Sequence, residues 1–154
     1  MSFLILIHVL SAIIGIGPTF YAHALTRKKQ SPEELRYSFK KMHTLEFFPK
    51  IGGTIAVLTG LLLVIIGSYG SFLQIWQIGA LILYILIQII VIGIIAPINK
   101  KLTAWLQDPA NRDASSLPSE QQQWLNKVDN LFYAATGCGT LLFILMILGS
   151  RGII

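Results

Sequence analysis

Charge is what this chain has least of. Only 12% of its 154 residues are charged, against about 25% in an average soluble domain. Hydrophobic residues make up 54%, and the mean hydropathy is +0.67. That balance excludes a disordered chain and argues against an ordinary water-soluble domain. Cysteine is almost missing. Cys138 alone rules out an intrachain disulfide and a cysteine-rich metal site. Acids are few as well: seven Asp and Glu against twelve Lys and Arg give a formal charge of +5. No acid falls inside an apolar run, and neither a Ser/His/Asp set nor a His-Glu-x-x-His pattern is present. Hydrolytic chemistry is therefore not expected. No cleavage site followed by a soluble stretch trails the first apolar run, so no removable leader is expected.

What the chain does have is four long apolar runs, over about 3–25, 51–69, 73–98 and 131–149. Each approaches the roughly 20 residues that cross a ~30 Å hydrocarbon core. A backbone in hydrocarbon must satisfy its own hydrogen bonds, so all four are expected as helices. The expected fold is all-α: a single-domain polytopic membrane protein, an antiparallel four-helix bundle with helical extensions. The basic residues set the orientation. Seven lie between the first two runs, from Arg27 to Lys50, and Lys100, Lys101, Arg112 and Lys127 follow the third. The positive-inside rule puts both long connections in the cytoplasm of a bacterial inner membrane and both termini outside. The +5 charge is then a topology signal that meets anionic lipid headgroups, and no nucleic-acid partner is expected.

The connections carry helix signals of their own. Ser31-Pro32-Glu33-Glu34 reads as a capping box with proline at the first helical position. The helix it opens should bury Leu35, Phe39 and Met42, then kink at Pro49. The third run should continue past Pro97 to about Leu106. Ser119 with Gln122 should open the last helix well before its apolar part.

Small and polar residues mark packing faces between helices in lipid. His8, Ser11, Ala12, Gly15, Thr19, Ala22 and His23 follow helical spacing on the first run. Gly52, Gly53, Ala56, Thr59, Gly60 and Gly67 do so on the second. Gln77, Tyr84 and Gln88 share a face on the third, and residues 134–140 are small all round. Such surfaces suit close backbone packing or room for a flat cofactor.

Histidine within a membrane span is a functional-site hypothesis by default. His8 and His23 stand fifteen residues apart, roughly 22 Å along a helix, one towards each membrane surface. Neutral imidazole is a good haem-iron ligand, and haem sites are built between bundle helices. The candidate ligands are His8, His23 and His43, with Met146 near the depth of His8 as a possible axial partner. His23 and His43 are expected at depths differing by about 10 Å, with His43 turned to solvent. Each histidine also has a plain alternative, a hydrogen bond to a neighbouring helix or to water. Copper is the next candidate, through His43, Met42, Cys138 and Met146, within a transport component. The third possibility is a cofactor-free structural subunit.

Three stretches resemble a known family: residues 7–17 (IHVLSAIIGIG), Phe48-Pro49 ahead of Leu58-Thr59-Gly60-Leu61, and a last helix with Met146 near its outer end. They resemble a family of small bacterial four-helix integral membrane proteins of unknown function, over nearly the whole chain. That family is distantly similar to HemJ-type protoporphyrinogen oxidases and to CopD-type membrane domains, which share a first-helix histidine before a glycine-rich stretch. The resemblance implies a haem-related role with His8 at the haem. The HemJ type carries a functional lysine in its third helix, whereas no basic residue lies between Trp76 and Asn99 here. What it implies is thus haem b binding or electron transfer rather than porphyrinogen oxidation. The expected partners are the lipid bilayer, a quinone, a porphyrin or an electron-transfer protein, and a second copy of the chain.

Overall fold

The computed structural model describes residues 2–66 and 74–153. Four helical rods account for almost all of them. The first is α1 (Ser2–Leu25); the second joins α2 (Pro32–Leu45) to α3 (Phe47–Ile66). The third joins α4 (Ile75–Gln88) to α5 (Ala96–Gln107) through a π-helical stretch, Ile89–Ile95, and the fourth is α6 (Ser119–Ser150). No strand occurs among the described residues, and all four rods are long and apolar enough to cross a membrane. Residues 67–69 and 73 of the expected spans lie outside the described residues.

The local signals act where the sequence places them, with two shifts. At the start of α2, Glu34 N–H donates to Ser31 Oγ at 3.2 Å and Ser31 N–H to Glu34 Oε2 at 2.9 Å. Leu35, Phe39 and Met42 are buried, as their spacing requires. The break between α2 and α3 falls at Glu46 rather than at Pro49 itself. Pro49 has no N–H for the Leu45 carbonyl, and its ring crowds that carbonyl, so the ladder is disturbed one turn earlier. The last helix opens at Ser119 with Pro118 as its cap residue and no side-chain cap. Proline's fixed φ already suits a helix start, which leaves Ser119 inside the first turn. Pro18 does not break α1.

Pro97 explains the π stretch. In a regular helix its ring would meet the Gly93 carbonyl. Here the turns ahead of it widen, and Ala96 N–H donates to Val91 five residues back. Ile90 and Ile95 both reach the core.

The most completely buried side chains lie at the end of the bundle with the long connections. Leu35, Leu102, Leu125 and Val128 have no exposed surface, and Ile95 has 1%. Leu35, Phe39, Leu102, Leu106 and Leu125 form a core between α2, α5 and α6. Polar side chains close this end. Arg36 donates to the carbonyls of Leu106 (2.9 Å) and Asn111 (2.7 Å), placing a cation at the C-terminus of α5. Gln30 donates to Leu25 O at the end of α1 (2.9 Å) and accepts from Ser38 Oγ (3.0 Å).

Within the span region, α1 and α3 meet through backbone. A Cβ on Gly15 would lie 2.6 Å from Gly53 N, and one on Gly52 would lie 2.7 Å from Gly15 N. The seam between α1 and α3 is therefore closed at glycine. Gly15→Ala is expected to destabilise the protein by about 1–3 kcal/mol, because neither backbone can yield. A Cβ on Gly17 meets nothing within 4 Å, so Gly17→Ala should be neutral or stabilising by up to about 1 kcal/mol. Thermal unfolding of the two variants in detergent checks this; equal melting temperatures would contradict a seam closed at Gly15.

Candidate functional site

The glycine seam fixes what His8 touches. With Gly15 against Gly52 and Gly53, the antiparallel register brings His8 one to two turns further along, against Ala56, Thr59 and Gly60. His8 Nδ1 lies 2.9 Å from Ala56 O and 3.1 Å from Thr59 Oγ1. A carbonyl only accepts, so Nδ1 carries the proton and donates. Thr59 Oγ1 donates its own proton to the Ile55 carbonyl at 2.6 Å, which leaves its lone pairs towards His8. The ring rests on Gly60, where a Cβ would come within 3.0 Å of Cε1. Any larger residue at position 60 would displace the imidazole. With Nδ1 engaged, Nε2 keeps its lone pair.

The other three expected ligands belong to different seams. His23 stacks on Tyr133 of α6, ring centroids 4.6 Å apart, and its Nδ1 is buried with no hydrogen-bond partner among the described residues. Fifteen residues leave a helix turned by about 60°, enough for His8 to face α3 while His23 faces α6. Met146 sits at the edge of the cluster formed by Ile16, Ile87 and Leu142. The α1–α6 register is set by Thr136 Oγ1 donating to Thr19 O at 3.2 Å and by Gly139 against Ile16. Carried outward, it brings Met146 level with residue 9, while the side chains of His8 and Met146 serve different seams.

His43 is exposed. Its expected depth needs correction. Tyr21 and Leu25 of α1 line one groove of about 340 Å³ with Lys41, Thr44 and Leu45 of α2, so residues near 23 and 43 are level. The α1–α3 register, which pairs residue 15 with residues 52–53, removes the 10 Å offset. Among the described residues, no group of three or more His, Cys, Asp or Glu comes together. Glu46 pairs with Lys50 at 3.3 Å on the exposed surface.

One buried acid stands outside the sequence expectations. Asp129 is 5% exposed, on the buried face of α6 with Leu125, Val128 and Phe132. The signal was present: an acid four residues after Leu125 and three before Phe132 falls on the apolar stripe.

The fold and its seams define a four-helix integral membrane protein with the His8 imidazole set between two helices that meet at glycine. Residues 2–149 match the family described as predicted integral membrane protein (DUF2269). The chain belongs to that family. No curated protein and no solved structure matches it.

The His8 geometry makes a direct prediction. In ¹⁵N-histidine spectra of the purified protein at neutral pH, one ring should show a protonated Nδ1 and an unprotonated Nε2. That signature should vanish in His8→Gln; the opposite tautomer would overturn the assignment.

Proposed function

We propose that this protein binds haem b within the membrane, with His8 Nε2 as the iron ligand. The supporting observation is the Nδ1–H···O=C bond to Ala56. A metal-ligating histidine almost always donates its other ring N–H to a carbonyl or carboxylate, which fixes the tautomer and raises the basicity of the ligating nitrogen. The donor present is one neutral imidazole, which fits haem iron. His8 would hold the iron, Ala56 and Thr59 would hold His8, and Gly60 would keep the space beside the ring. Bound haem would supply one-electron redox chemistry, consistent with a redox or haem- and porphyrin-handling role.

The orientation proposed with this places both termini outside and the two basic connections in the cytoplasm of a bacterial inner membrane. The positive-inside rule supports it. So does the antiparallel order of the rods, which gathers 26–31 and 108–118 at one end.

A second reading rests on the same bonds. His8 Nδ1 reaches both Ala56 O and Thr59 Oγ1, so the imidazole also serves as a clasp between α1 and α3. In a cofactor-free structural subunit that would be its whole role.

Visible spectroscopy separates the two. Protein purified in detergent, or titrated with haemin, is expected to show a Soret band that sharpens with dithionite and is lost in His8→Ala. Colourless protein that takes up no haemin would leave only the clasp. Single cysteines at 113 and 151, in a Cys138→Ser background, should be labelled from opposite sides of sealed vesicles.

A further inference from the structure

Asp129 forms a second polar site, on a different seam from His8 and independent of any haem. It lies on α6 two residues before the apolar run, at the end that carries the long connections. Its Oδ1 is buried and has no hydrogen-bond partner among the described residues. The neighbouring Val128 and Phe132 belong to an apolar cluster with Ala22, Leu25, Met42, Ile90, Ile95 and Ala135. Tyr133, one turn further on, stacks on His23. Residues four apart on a helix are neighbours, so this stacking brings the imidazole alongside the carboxyl. The Nδ1 of His23 also has no partner among the described residues.

Two states are open to a buried carboxyl: ionised and paired, or neutral. The ion pairs among the described residues are Arg27–Glu34 and Lys50–Glu46, and neither involves Asp129. A buried charge without a partner is strongly disfavoured, and such a group takes up a proton instead. Burial pushes the Asp129 carboxyl above the usual range, while Lys28 and His23 pull it back. The other titratable groups on the elements packed against α6 lie elsewhere. Of α1, His8 is held by Ala56 and Tyr21 is exposed; Tyr84 of α4 faces Gly53, Lys101 of α5 lies over Trp124, Lys100 is exposed, and the π stretch carries none.

We propose that Asp129 is a proton-binding site, held as the neutral acid in the folded protein and exchanging its proton with water on the Lys28 side. The proton that leaves Asp129 is taken up by water; no other bond changes.

The sign of the pH dependence follows. An acid raised in the fold stabilises the protein at low pH, and that contribution is lost as pH rises from the unfolded-state value through the folded one. The wild type should therefore lose melting temperature across that window, while Asp129→Asn, a neutral isostere, should stay flat and melt higher above it. An Asn variant that melts lower at neutral pH would mean a charged partner of Lys28 or His23, and would overturn the proposal. Infrared spectra of the full chain in bilayers, labelled with ¹³C-aspartate, decide the matter even if that variant fails to insert. The chain has only three aspartates, and Asp108 and Asp113 are exposed. One aspartic acid C=O band should persist at pH values where exposed aspartates are ionised, and its midpoint should shift in His23→Gln. Three aspartates that all titrate in the ordinary carboxylate range would overturn the assignment.

Discussion

The structure depends on the approach of two backbones. α1 and α3 meet where Gly15 faces Gly52 and Gly53, at a distance no side chain could share. Apolar side chains gain nothing from leaving lipid for one another, so helices in a membrane associate through packing and hydrogen bonds. Glycine allows the first, and the Ala56 carbonyl and Thr59 hydroxyl provide the second by receiving His8. The register set at Gly15 decides which residues of α3 the imidazole can reach. It also brings the connection side of α1 level with the end of α2.

A different force holds the opposite end. Beyond the span region, α2, α5 and the start of α6 lie where apolar surface can be removed from water. Leu35, Leu102 and Leu125 are fully buried there, as in a soluble protein. Inside the span region, Leu6, Ile13, Leu58 and Ile82 stay exposed, because lipid accepts them. One chain is thus stabilised by hydrophobic burial at one end and by close backbone packing at the other. Arg36 and Gln30 satisfy helix-end carbonyls at that end.

Most of the fold was legible in the sequence because its signals are local. The apolar runs, the Ser31–Glu34 box and the stop before Asp108 each depend on neighbours within a few residues. The small-residue stripes named the seam, since close packing leaves few side chains to choose from. What was not legible depends on register between helices. His8 and His23 look cofacial until the residual turn of about 60° is set against two different partner helices. His43 looked displaced until the glycine seam fixed the levels. Asp129 stands just outside an apolar run, where an acid ordinarily belongs to a solvated face. The Ala56 carbonyl was invisible for a simpler reason: backbone acceptors carry no signature in a sequence.

The π stretch has a wider consequence. Ile90 and Ile95 both reach the core, yet residues five apart on an α-helix point about 140° away from each other. The wide turns cancel that difference, so the third rod works as two helices whose apolar phases were chosen separately. Its membrane half is aligned by Ile87 and Ile90, and its outer half by Ile95, Leu102 and Leu106. The joint at Pro97 keeps the two alignments compatible. A one-residue deletion in the stretch would act as a rotation rather than a shortening, turning Leu102 and Leu106 out of a core that lies more than a turn away.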